Sequence, residues 1–319
     1  MEIIEYTEEW KSKWDDFVLN SSNGTMFHMQ KFFDYHTPGK FKFNHLIFLE
    51  KNKIEALLPG SILDSRIFES PIGASYGSIV LPDITFKKTM LIVSTLKQYA
   101  IAKGWKELIL TAAPMIYETF PNHNLDFAML WQGFKFDLHY ISSAIKLDTN
   151  KDILSRFSQT IRRNVRKSIK EGVTVEINEK YDEFYPILLE NKARHNVKPT
   201  HSYEDLLKLK KLMPDRLKLF MVYYKGKPIA GSLMFYANKN VAICFYNMLL
   251  YEYAHLKPIQ RVMFEVVKDA TERGYTYVDI GVSQDTSADN PMTPSESLID
   301  FKEKFDAKSI MRNTLKIEL

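Results

Sequence analysis

The chain has 319 residues, 45% hydrophobic, 26% charged and 13% aromatic, which is enough to bury a large core and excludes a disordered or fibrous protein. Its 43 Lys and Arg against 39 Asp and Glu leave a net charge of +4, too mild for generic coating of nucleic acid, and its single cysteine, Cys244, excludes an intrachain disulfide or a cysteine metal cage. Met1-Glu2-Ile3-Ile4-Glu5 is acidic where a secretory leader is basic, and no apolar run reaches the roughly 18 residues of a membrane span, so a cytoplasmic chain without a transmembrane segment is expected.

Read in chain order, the elements repeat. His45-Leu46-Ile47-Phe48-Leu49, the turn Lys51-Asn52-Lys53 and Ile54-Glu55-Ala56-Leu57-Leu58 predict a hairpin. Leu219–Tyr224, the turn Lys225-Gly226-Lys227 and Ile229–Leu233 predict a second, with Gly226 174 positions after Asn52. Ile92, Leu96 and Ala100 recur every fourth residue before Lys103-Gly104-Trp105, a helix ended by glycine, and the strand Glu107–Leu110 follows. Val262, Val266 and Ala270 repeat this before Arg273-Gly274-Tyr275 and the strand Tyr277–Ile280, now at an offset of 170. Gly133-Phe134 ahead of Tyr140–Ile145 matches Phe305-Asp306 ahead of Thr314–Ile317, at 172. Three pairs in one order at nearly one offset predict a duplication. The expectation is two α/β (α+β) domains, residues 1–150 and 151–319, each a mostly antiparallel mixed sheet flanked by helices, with the seam near Asp148 to Lys151. Helices over Ser155–Glu171 and Ser202–Leu212 are additions specific to the second half.

Hairpin, glycine-ended helix, strand, helix and strand is the element order of the GNAT acyltransferase fold, and two such units resemble the FemABX group of peptidyl aminoacyltransferases. The segments that carry the resemblance are Asn20–His28, the small-residue loop Gly73-Ala74-Ser75-Tyr76-Gly77-Ser78, the basic Arg162–Val173, Pro199-Thr200-His201-Ser202, Asp279-Ile280-Gly281-Val282-Ser283 and Leu298–Asp306. Two departures stand out. The R/Q-x-x-G-x-G/A loop with which acyl-CoA enzymes of this fold hold pyrophosphate is absent, its place in the second half being taken by Tyr253-Ala254-His255-Leu256-Lys257-Pro258. Asp306 also stands where the group commonly has glycine, which questions the turn geometry there. The resemblance therefore implies no bound cofactor and a donor substrate that is aminoacyl-tRNA rather than acyl-CoA, with acyl-CoA as the alternative.

From Lys151 to Glu171, seven Lys or Arg face two acids, a local net of +5, so nearly all the excess charge lies in one segment. With Ile161, Val165 and Ile169 as the apolar stripe, Arg162 and Arg166 fall on one flank and Arg163 and Lys167 on another. This pattern reads equally as a solvated face and as a binder of phosphate, on a nucleotide-sugar or on tRNA. Asp279 is the most informative carboxylate: its counterpart at the offset of 170 is Ile109, so a charge replaces an apolar residue in one copy only. It reads as a residue on a solvent-exposed strand face, as a structural ion pair, for instance with a basic residue of the following helix, or as a group that orients an amine or takes its proton.

Acyl transfer to an amine needs a deprotonated nucleophile, a held oxyanion and a proton for the leaving group. The candidates are Asp279 for the amine, Ser283 or Tyr246 as proton donor or positioner, and Lys302 or Glu303 for orienting substrate. Tyr246 reads more simply as a core tyrosine; His201, beside the S-x-x-D pattern of Ser202–Asp205, reads as a residue at a helix start or as one that hydrogen-bonds substrate, and Tyr76 as part of a tight turn or of a loop that lets substrate approach. The histidines lack metal-ligand spacing: His195 and His201 are six apart, His28 and His36 eight. Cys244, in an apolar strand, reads as a core filler. The function expected is acyl or aminoacyl transfer to an amine of a cell-wall precursor, sugar or peptide, with tRNA as a partner. An acyl-CoA-dependent N-acyltransferase of polysaccharide or amino-sugar metabolism and a non-catalytic RNA- or ligand-binding relic are the alternatives.

Overall fold

The computed structural model describes residues 1–64, 66–194 and 196–319; His195 lies outside them. The first elements are β1 (Glu2–Glu5), α1 (Lys11–Asn20), α2 (Gln30–Phe33), β2 (Leu46–Glu50), β3 (Lys53–Leu58), β4 (Ser61–Leu63) and β5 (Ile67–Ser70). Next come α3 (Phe86–Ala102), β6 (Glu107–Thr111), α4 (Asn124–Trp131), β7 (Lys135–Lys146), α5 (Ile153–Arg156), α6 (Gln159–Lys170), β8 (Thr174–Asn178) and α7 (Tyr181–Ala193). The last are α8 (Tyr203–Leu212), β9 (Leu217–Tyr224), β10 (Lys227–Tyr236), β11 (Val241–Leu249), α9 (Pro258–Glu272), β12 (Tyr277–Val282), α10 (Glu296–Glu303) and β13 (Ala307–Glu318).

Two compact units result, one of Met1–Tyr140 with Met311–Leu319, the other of Ile141–Ile310. The division thus falls ten residues before the seam expected near 150, and the C-terminal residues belong to the first unit. The pairing shows why. In the second unit Ser142, Ala144, Ile145 and Lys146 of β7 pair antiparallel with β12, while in the first Thr314–Glu318 of β13 pair antiparallel with β6. Each half of the sequence therefore supplies the closing strand of the other unit.

The two predicted hairpins form as β2–β3 and β9–β10. Lys51 and Asn52 (φ 50° and 60°) and Lys225 and Gly226 (φ 50° and 76°) have the two left-handed residues of a tight turn matched to strand twist. The matched helices end alike. Gly104 and Gly274 are left-handed, and the next residues, Trp105 and Tyr275, donate back to the carbonyls of Ala100 and Ala270, both at 3.0 Å. In the first unit Ile92, Val93, Leu96 and Ala100 of α3 bury against Phe68, Leu108, Leu110, Leu315 and Ile317. In the second Val262, Val266 and Ala270 of α9 bury against Phe220, Val222, Ala230, Ala242 and Val278. Each large apolar side chain so buried contributes about 1.5–3 kcal/mol.

The basic segment differs from the single helix expected over 155–171. It breaks at Phe157 and Ser158, because Phe157 turns extended to bury its ring and Ser158 caps α6 by accepting from Ile161 N–H. The buried positions of α6 are Ile161, Val165 and Ser168, whereas Ile169 is 49% exposed, so the apolar stripe turns from Val165 to Ser168 instead of continuing to Ile169. The turn after Phe305 keeps the geometry that glycine would give. Asp306 takes φ 65°, a conformation asparagine and aspartate tolerate better than most residues, and its carboxylate accepts from Arg156 at 2.7 Å and 3.1 Å.

Candidate active site

In the second unit β11 and β12 run parallel and are paired from Val241/Tyr277 to Ile243/Asp279, and no further. Two irregularities part them. β10 and β11 shift register so that Phe245 is the extra residue, and β12 and β7 shift between Asp279 and Val282, where Gly281 adopts φ 78°. A cleft of about 490 Å³ opens there. It is walled by Cys244, Asn247 and Leu249 of β11, Ile280 of β12, Leu298, Phe301 and Lys302 of α10, and the start of α9 from Pro258 to Gln260. Lys257, left-handed at φ 61°, turns the chain into α9, and Pro258 occupies the first helical position, so that Pro258, Ile259 and Gln260 of its first turn border the cleft. This is the stretch where the pyrophosphate-loop glycines are missing.

Lys302, Ser283 and Asp279 come together at the end of β12. Lys302 is 6% exposed, and its Nζ donates to the carbonyls of Gly281 (2.8 Å) and Val282 (2.9 Å) and to Ser283 Oγ (2.8 Å). These three acceptors match the three donors of an ammonium. Burial pulls its pKa down to about 8, while the negative charge of Asp279 works in the opposite direction. Asp279 is fully buried; its Oδ1 accepts from Ser142 Oγ (2.9 Å) and from the Gly281 N–H (2.8 Å). The carboxylate thus fixes the Gly281 turn and faces a cation of the following helix. Ser283, also fully buried, is held through its backbone by Ile141 O and Ser295 N–H, both at 2.8 Å. Cys244 Sγ lies 3.2 Å from Ser232 Oγ, and burial pushes its thiol up to about 11, so it stays protonated at neutral pH, as a filler would.

The other expected residues fall elsewhere. The extra residue at Phe245 changes which side chains of β11 reach the cleft, so Asn247 lines it and Tyr246 does not. Tyr246 is 3% exposed, its hydroxyl is 3.0 Å from His201 Nδ1 and accepts the His201 N–H, and burial raises its pKa. It acts as a core tyrosine holding the chain entering α8, where Ser202 and Asp205 form the expected reciprocal cap. Glu303, next to Lys302, faces solvent and does not line the cleft, since consecutive residues of α10 point to different sides of the helix. Arg162 Nη1 donates to the carbonyls of Ser155 (3.2 Å) and Phe157 (2.7 Å), so it serves the kink before α6, while Arg163, Arg166 and Lys167 are exposed. Tyr76, in the first unit, is buried rather than open to substrate. Sequence reasoning missed Cys244 and Asn247 as cleft walls; the only signal was their place on a strand whose bulge is invisible without its partner. Among the described residues no group of three or more His, Cys, Asp or Glu is placed to hold a metal ion, and no helix is long and apolar enough to cross a membrane.

Residues 155–291, which include both splayed strands and the start of α9, match the family model of the acetyltransferase (GNAT) domain. The second half therefore carries a GNAT domain, and the chain as a whole has the tandem GNAT fold of FemABX-like proteins. Over its full length it superposes on FemX with a TM-score of 0.73 at 12% identity, covering 98% of that chain. The C-terminal domain of a putative lysylphosphatidylglycerol synthetase from Agrobacterium fabrum gives a TM-score of 0.61 at 13% identity over 97% of this chain and 91% of the other. A tandem GNAT protein from the clavulanic acid biosynthesis pathway gives 0.57 at 10% identity over 99% and 98%. No curated protein sequence matches the chain.

Proposed function

We propose that the protein is an acyltransferase that moves an aminoacyl group from aminoacyl-tRNA to an amine of a cell-wall precursor, sugar or peptide. The observation that carries this reading is the buried Lys302, held by Gly281 O, Val282 O and Ser283 Oγ on the wall of the cleft between β11 and β12. The amine attacks the donor carbonyl, a C–N bond forms, and the carbonyl electrons move to oxygen. To act there Lys302 gives up one of its three acceptors: its ammonium then stabilises that oxyanion, passes a proton to the leaving oxygen as its bond to the acyl carbon breaks, and regains one from the attached amine nitrogen. Ser283 and Asp279 are positioning residues, Ser283 through its bond to Lys302 and Asp279 through its charge and its hold on Gly281.

The exposed cations of α6, Arg163, Arg166, Lys167 and Lys170, suit a phosphate backbone and support the tRNA donor. A second reading, acyl-CoA as donor, draws on the largely apolar walls of the cleft, Leu249, Met263, Ile280, Leu298 and Phe301, and on the start of α9 beside it. The test is binding of the purified protein to charged tRNA, uncharged tRNA, acetyl-CoA and a long-chain acyl-CoA at two salt concentrations. Preference for charged tRNA is expected; tight CoA binding moves the protein to the second reading, and no binding to any of the four overturns both.

A further inference from the structure

Arg312, on β13 of the first unit, stands two residues before Thr314 pairs with Thr111. Its Nη2 donates to the Ser75 carbonyl at 2.6 Å, and its guanidinium lies over the Tyr76 ring, 5.1 Å from the centroid. These two contacts account for it among the described residues. Among the described residues no carboxylate is within ion-pair distance of it, and Nε is buried without a hydrogen-bond partner. A guanidinium carries five N–H donors in one plane, and an arginine drawn into the protein is as a rule paired with an anion, because an unsatisfied buried donor is costly. One hydrogen bond leaves most of that capacity unused.

The surroundings hold this unpaired cation in place. Tyr76 is 3% exposed and packs edge-on to Phe27 (5.5 Å) and at a steep angle to Tyr117 (5.1 Å). Its loop is tied at Gly77, whose N–H donates to Thr111 O at 2.9 Å and whose carbonyl lies 2.9 Å from His28 Nε2. Ring and carbonyl therefore fix the guanidinium plane from two directions before any ligand arrives, which lowers the entropy lost on binding.

We propose that Arg312, held on Tyr76, is the anchor for an oxyanion, a carboxylate or a phosphate, on a ligand bound by the first unit. Both anions match the guanidinium fork with paired N–H···O bonds. The inference goes beyond the acyl-transfer reading and does not depend on Lys302.

The experiment is calorimetric titration of the full chain with pyrophosphate and, separately, with N-acetyl-alanyl-alanine, at constant ionic strength set with chloride. Wild type, Arg312→Gln, Arg312→Lys and Tyr76→Phe are compared, with circular dichroism and thermal unfolding confirming that each is folded. Saturable binding of one probe is expected, and which one identifies the anion as phosphate or carboxylate. Arg312→Gln should weaken it at least about 10-fold and Arg312→Lys by a smaller factor, since an ammonium lacks the paired geometry, while Tyr76→Phe keeps the ring and the affinity. Equal affinity in Arg312→Gln, or no saturable binding of either probe to wild type, overturns the proposal. If Arg312→Gln fails to fold, the Lys variant decides: affinity equal to wild type then counts against it.

Discussion

Lys302 is buried among carbonyls, and its proton is the quantity to follow. Its folded-state pKa of about 8 lies below the ordinary 10.5, so between those values the unfolded chain binds the extra proton. This group therefore makes stability rise with pH across that window, whereas a role for the ammonium in catalysis makes kcat fall as pH passes 8. A pH series of unfolding and of turnover should show the two trends running in opposite directions. Lys302→Met should lower kcat by roughly 10²–10³-fold, the scale of losing one oxyanion donor. Asp279→Asn keeps an oxygen for Ser142 and the Gly281 N–H but removes the charge that favours protonated Lys302, so the alkaline limb of the rate profile should move to lower pH. An unmoved limb would sever Asp279 from Lys302. Asp306 offers a cleaner separation of strain from pairing. Asp306→Ala keeps the left-handed backbone and loses the partly buried bond to Arg156, at a cost of about 1–2 kcal/mol, while Asp306→Gly relieves the backbone and should unfold within about 1 kcal/mol of wild type in the same denaturant titration.

At the scale of elements, α6 is where charge and shape are most closely coupled. Arg162 bonds the carbonyls that precede the helix, so reversing its charge would disturb the chain at Ser155 and Phe157 as well as any phosphate contact. The informative variant is Arg163→Glu with Arg166→Glu, both exposed. If α6 contacts a phosphate backbone, the slope of log affinity for tRNA against log salt should become shallower by roughly one for each contact removed. An unchanged slope would make α6 a solvated face. What could be read in the sequence at this scale was whatever is written locally. Turn residues Asn52 and Gly226, the helix-ending Gly104 and Gly274, the four-residue spacing of α3 and α9, and the serine cap of α8 each depend on neighbours a few positions away. Asp279, Ser283 and Lys302 could be named as candidates because Asp279 replaces the apolar Ile109 of the other half and all three lie in segments that carry the resemblance. The break at Phe157, the outward turn of Ile169 and the extra residue at Phe245 were not legible, since each depends on what a distant strand or helix offers in packing.

At the scale of the whole molecule, the seam expected in the sequence and the division into compact units differ for the same reason. Similarity between the halves marks where the repeat unit ends in sequence, but not which sheet its last strand joins, and Thr314 pairs with Thr111 across 203 positions of the chain. Removing Met311–Leu319 should therefore damage the first unit rather than the one it follows. Hydrogen exchange is expected to show β6 losing protection while β9 and β10 keep theirs; uniform loss across both units would instead mean that they unfold as one. During synthesis, the exchange of closing strands inverts the order of assembly. The unit that leaves the ribosome first has an open edge at β6 until more than 200 further residues have emerged, whereas the second already holds its β7 strand before its own sheet begins to form. The early half is thus the one exposed to mispairing and to chaperones until β13, which is translated after β1 to β12, completes it.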